Sequence, residues 1–152
     1  MDVDERKKRI QTLLERQKLK NNKTLYSSFF EECLIILGNE VIVFSQEKSE
    51  EIYRKFEEEY SFTPYGRIDW KNDEYHETTI EELNKSFYDE AERCLVIWSH
   101  GTDPVIEAKI IEIINNIDSL TMVSPDVWLY KEKDYVIELF HDGIIRKAYK
   151  YV

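Results

Sequence analysis

Helical and strand periods alternate through the first two-thirds of the chain, and period 2 takes over after Pro125. Leu25, Phe29, Phe30, Cys33, Leu34, Ile36 and Leu37 recur at helical spacing and predict a buried helix over 25–37, with Gly38-Asn39 as its C-cap and turn. The run EVIVF at 40–44 reads as a buried strand. Ile52, Tyr53, Phe56 and Tyr60 form one apolar stripe of a helix over 45–60, with Ser49 as a candidate cap and glutamates on the other face. Pro64, Tyr65 and Gly66 mark a turn, 67–70 a short strand and 71–77 a polar loop. Thr78 or Thr79 opens a capping box for a helix to about residue 92, with Leu83, Phe87 and Ala91 facing inward. CLVIW at 94–98 is a second strand. Asp103 and Pro104 then read as cap and first residue of a nearly all-apolar helix through Ile117.

Beyond Pro125, the segments 127–131, 135–140 and 144–151 predict three consecutive strands, with Asp142-Gly143 as a hairpin turn. The expected fold class is therefore α/β (α+β): a single mixed β-sheet with helices packed on it and a C-terminal antiparallel three-stranded meander. At 152 residues the chain predicts one domain, 1–152. Asp4 caps a first helix to about Lys20 whose narrow stripe places residues 1–22 on the outside of the fold. Cys33 and Cys94 sit in apolar runs and read as reduced, buried thiols. A charged N-terminus and the lack of any apolar run of about 20 residues predict a cytoplasmic protein with no membrane contact.

Charge changes this picture most. Residues 47–92 hold fifteen acids and six bases, a net of −9 within a chain whose total is −10. A one-signed surface repels nucleic acid and attracts basic proteins. If the acids of the helices over 49–60 and 79–92 and of the loop between them share a surface, they make a docking face; the alternative is a solvated exterior that serves solubility. Aromatic anchors ringed by charge are a common interface composition. Trp70, Tyr65 and Tyr75 lie in the connecting loop, outside any core stripe. The candidate partner-binding residues are Glu57, Glu58, Asp69, Trp70, Asp73, Glu74, Tyr75 and Glu77.

Catalytic and cofactor patterns are weaker. His76, His100 and His141 lie in separate turns without the paired spacing of zinc ligands. Asp73, Glu74, His76 and Glu77 read as a polar loop rather than a metal site, and no phosphate-cradling glycine loop occurs, so no cofactor is expected. Ser99, His100 and Asp103 follow a strand and precede a helix, where a hydrolase-like site would sit. A capped strand–helix connection explains the same residues.

With the closing segment DVWLYKEKDYVIELFHDGIIRKAYKY, the GRIDW segment after an acidic helix and the RCLVIW strand, the chain resembles immunity proteins of bacterial polymorphic toxin systems, including contact-dependent growth inhibition and LXG-type systems. That resemblance implies a non-enzymatic inhibitor, monomeric or weakly dimeric when free, that binds a cognate toxin domain. The expected toxin is a basic nuclease, because a nuclease must grip phosphates. The alternatives are a small hydrolase-like enzyme at Ser99, His100 and Asp103, and a non-catalytic regulatory subunit that binds through its meander edge or its basic first helix.

Overall fold

The computed structural model describes residues 6–10, 26–64, 66–71, 74–99 and 103–149. The elements run α1 (residues 6–10), α2 (Ser28–Leu37), β1 (Ile42–Val43), α3 (Gln46–Glu59), β2 (His76–Thr78), α4 (Ile80–Ser86), β3 (Arg93–Trp98), β4 (Ile106–Lys109), α5 (Ile110–Asn115), α6 (Ile117–Val123), β5 (Val127–Lys131), β6 (Tyr135–Leu139) and β7 (Ile145–Tyr149). The strands form one seven-stranded sheet in the order β1-β4-β3-β5-β6-β7-β2. The α+β class and the closing meander stand as the periodicity predicts.

The sheet is antiparallel throughout, not mixed. Helices interrupt the strands, but none of them links two neighbouring parallel strands. Residues 99–105 join β3 to β4, and a connection that short permits only an antiparallel neighbour. The predicted helix over 103–117 accordingly begins later. Ile106 and Ala108 are buried while Glu107 and Lys109 are partly exposed, so the segment has strand period before it has helical period. Pairing with β3 captures those residues, and the helix is left with Ile110, Ile113 and Ile114 as its inward stripe.

Successive strand residues face opposite ways, and both sides of the sheet are covered. On one side, Val96, Trp98, Ile106, Leu129 and Ile137 pack against α2, α4, α5 and α6, and Ile10 of α1 joins the same core. Ile10, in the apolar stripe of the first helix, is buried, while Lys7, Lys8 and Arg9 are exposed; residues 11–22 lie outside the described residues. On the other side, Ile52, Phe56 and Tyr60 of α3 pack against Ile97, Trp128, Tyr130 and Val136. Phe56 meets four rings, those of Tyr60, Phe62, Trp128 and Tyr130, at centroid distances of 4.9 to 5.8 Å.

Local rules set the helix starts. Ser27 Oγ accepts from the Phe30 amide, Ser45 Oγ from the Lys48 amide and Thr79 Oγ from the Glu82 amide, so Thr79 rather than Thr78 is the cap of α4. Ser49 is not a cap. It lies inside α3, buried, and its Oγ accepts the Val105 amide at 3.0 Å. Helix α4 is also shorter than predicted, ending at Ser86, and leaves Ala91 exposed. Residues 40–44 give only a two-residue edge strand with Ile42 exposed, because the sheet ends there.

The segment after α3 is held by one side chain. Glu138 of β6 is fully buried. Its Oε1 accepts from Arg67 Nε at 3.3 Å, Arg67 Nη2 at 3.0 Å and Trp70 Nε1 at 3.0 Å. Its Oε2 accepts from the Ile68 amide at 2.9 Å and Trp128 Nε1 at 3.0 Å. Residues 61–71 therefore lie across the sheet rather than as the predicted strand; only the Phe62–Ile68 bridge is β-like. The Arg67 guanidinium stacks over the Phe140 ring at 3.8 Å.

Replacing this carboxylate strands several buried donors at once, and breaking a buried charge pair costs about 3–5 kcal/mol. Glu138→Ala is expected to lower unfolding stability by that amount in urea titration and to accelerate amide exchange across residues 61–71. A second expectation concerns pH. Burial pushes the Cys33 thiol from 9.0 to about 12 and the Tyr53 phenol from 10.0 to about 12. The folded chain holds these protons where the unfolded chain releases them. Their contribution is intact below about pH 9 and is lost as pH climbs towards 12, so the urea midpoint should decrease as pH is raised from about 9 towards 12.

Candidate functional site

The acidic stretch is divided by the fold. Helix α3 and residues 61–71 cover one side of the sheet, while Leu83 of α4 belongs to the core on the other. Glu57 and Glu58 are exposed on α3, and Glu81 and Glu82 are exposed on α4, so the two helices present their carboxylates from opposite layers.

The residues proposed from the sequence fall into two groups. Trp70 and Tyr75 are brought together, with ring centroids 5.0 Å apart. Asp69 is partly exposed beside Trp70, and Glu74 and Glu77 are exposed beside Tyr75. Glu57 and Glu58 lie on the same side of the sheet but over β5, where Phe56 contacts Trp128 and Tyr130. Strand β2 is three places from β5, which separates the groups by roughly 14 Å at about 4.8 Å per strand. Asp73 and Tyr65 lie outside the described residues.

Trp70 differs from the expectation that no core needs it. It packs against the second core, and its indole N–H is held by Glu138. Tyr75 is the exposed member of the pair, at 43%. The signal for this division was present only in β6. Glu138 sits amid YVIEL, a segment whose other residues are all buried and apolar, so that carboxylate had to find donors.

Two arginines near this surface turn inward, while Lys71 beside Trp70 and Arg54 on α3 are exposed. Arg67 contacts Glu138 at 3.0 Å, and Arg146 Nη1 lies 3.9 Å from the same carboxylate, with its guanidinium 5.6 Å from the Tyr75 ring. Lys147 is buried on the opposite side of β7, with Nζ 4.3 Å from the Phe87 ring and 4.6 Å from that of Tyr149. On α3, Lys48 and Lys55 both contact Glu51, at 3.5 and 3.8 Å. Among the described ion pairs none takes Glu57, Glu58, Glu74 or Glu77.

The hydrolase-like grouping is occupied by structural bonds. Asp103 does not cap a helix of its own. Its Oδ1 accepts the Ser27 amide at 3.1 Å and its Oδ2 the Ser27 hydroxyl at 2.8 Å, which ties the start of α2 to the β3–β4 connection. Ser99 Oγ pairs with Ser124 Oγ at 2.7 Å, and His100 lies outside the described residues. His141 Nδ1 is 2.9 Å from Asp126 Oδ1, a contact that joins the last hairpin to the start of β5. Among the described residues no group of three or more His, Cys, Asp or Glu is placed to hold a metal ion.

Residues 27–148 match the protein family described as CdiI immunity protein EcoliA0-like. The chain belongs to that family. No curated protein matches it. As a CdiI-family immunity protein it neutralises a toxin. The match spans every strand and helices α2 to α6, so it embraces Glu138 and the whole acidic segment. Among the described residues no helix is long and apolar enough to cross a membrane.

The unequal roles of the stacked pair are measurable. Trp70→Ala removes core contacts and a bond to a buried carboxylate, and should cost about 2–3 kcal/mol in urea unfolding. Tyr75→Ala should cost about 1 kcal/mol or less, because most of what it loses is exposed.

Proposed function

We propose that this immunity protein binds a basic toxin domain, a nuclease, by an acidic face and neutralises it without turnover. The face comprises Glu57 and Glu58 of α3 together with Asp69, Trp70, Asp73, Glu74, Tyr75 and Glu77. The observation that carries the reading is the sorting of charge at this surface. Arg67 and Arg146 point at buried Glu138, whereas Glu74 and Glu77 stand in solvent around the exposed Tyr75 ring. The two arginines face inward while Lys71 and Arg54 stay exposed, so it is the excess of fifteen acids over six bases in 47–92 that leaves the outward field negative, and such a field accelerates encounter with a cationic partner. A nuclease is cationic where it grips phosphates, so an acidic inhibitor can occupy that cleft in place of the polyanion. Tyr75 supplies a rigid aromatic contact of the kind that prolongs residence. Binding without turnover is supported by the engagement of Asp103 with Ser27.

The experiment is expression of the C-terminal domain encoded upstream of this chain, with and without the immunity protein. Growth rescue and co-purification are expected. The double variant Glu57→Lys/Glu58→Lys, and separately Glu74→Lys, should slow association by about tenfold at low salt. That difference should shrink towards nothing near 1 M salt, where the screening length is about 3 Å. An association rate indifferent to both salt and charge reversal sinks the acidic-face reading.

A further inference from the structure

We infer that the free edge of β2 is where the partner attaches, by adding a strand of its own to the sheet. This inference rests on the proposed toxin-binding function and specifies its geometry. Strand β2 is the last in the sheet order and among the described residues pairs only with β7, in the register His76↔Lys147, Glu77↔Arg146 and Thr78↔Ile145. Alternate backbone N–H and C=O groups of an edge strand point away from its one neighbour and remain available to an incoming chain.

Edges are usually blunted by charge, and the sign of the charge decides whom it excludes. Here the guard is Glu77, with Glu74 just outside the strand, and both are exposed. Two copies of this chain pairing antiparallel through β2, centred on Glu77, would set that glutamate against its own copy, which is unfavourable. A strand carrying Lys or Arg meets the opposite situation. Of the nearby cations Arg146 is directed at Glu138 and Lys147 is boxed by rings, which leaves exposed Lys71 against the two glutamates. Exposed rings flank the edge on both sides of the sheet. Tyr75 lies on one, and on the other the His76 ring stacks with Tyr149 at 6.4 Å and an interplanar angle of 25°. Backbone pairing would give affinity, and these rings and acids would select the side chains of the added strand. The other sheet edge, β1, lacks this polarity. Beside it Glu40 is paired with Lys109 at 2.8 Å, and Arg6 lies against Gly38 just before it.

The test is amide hydrogen exchange of the full chain, free and bound to the toxin domain encoded upstream of it. The amides of residues 76–78 that point outward should exchange at least tenfold more slowly in the complex. Glu77→Lys should weaken capture at least tenfold, and Glu77→Gln, which sets no like charge opposite Arg146, should weaken it while leaving the melting temperature of the free chain unchanged. A complex that forms with 76–78 exchanging as in the free chain overturns the edge attachment and leaves the acidic face standing. Full capture by Glu77→Lys likewise overturns it. If no complex forms with that domain, this inference and the proposed function both fall.

Discussion

A carboxylate placed in the interior of a sheet must be satisfied, and Glu138 is satisfied by drawing a distant segment of chain onto it. Five N–H groups converge on its two oxygens, from Arg67, Ile68, Trp70 and Trp128. Three of those residues belong to 61–71, which has almost no β-pairing of its own. The desolvation cost of an isolated buried carboxylate is large enough that the site and its donors must form together. The path of this segment, and with it the position of Trp70 and of the aromatic ring stacked on Trp70, follows from that requirement.

The same bonds hold two arginines within the layer. Arg67 is partly buried, stacks on Phe140 and reaches Asp142 at 3.5 Å as well as Glu138. Arg146 is held beneath Tyr75. The charge of these two arginines is consumed in building the layer, whereas Lys71 and Arg54 stay exposed with the acids that have no structural duty. Glu59 shows the contrast within a single run of glutamates. It bonds the Tyr130 hydroxyl and the Lys133 amide, and together with burial it pushes the Tyr130 phenol up, whereas Glu57 and Glu58 face water.

Antiparallel pairing also shapes what the CdiI-family chain can present. A sheet without parallel crossovers has its edges near chain segments that are sequentially remote. Strand β2, from the acidic middle of the chain, thereby closes on β7 at the far end of the meander. Aromatic side chains of both segments, Tyr75 and His76 from one and Tyr149 from the other, gather at that edge. Helix α4 leaves β2 towards the opposite side of the sheet, which is why its acids do not extend the face built by α3.

Periodicity and local chemistry alone determined the α+β class, the β3 strand, the meander with its Asp142-Gly143 turn, and the start of α4 to within the pair Thr78-Thr79. These are contacts between sequence neighbours, or consequences of an apolar pattern that has one reading. The acidic segment and its exposed tyrosine were legible too, because charge density is a property of composition. Tertiary structure decided the rest. Residues 106–109 fit either period, and the bare edge of β3 resolved them into a strand. His76–Thr78 has little strand propensity and pairs because β7 offers it a ladder. Asp103 and Ser49 are plausible caps by position, yet both bond to partners more than fifty residues away. Trp70 reads as a free anchor until Glu138, 68 residues later, is seen to hold it. A side chain's partner across the sheet depends on which strands adjoin, and no local pattern carries that information.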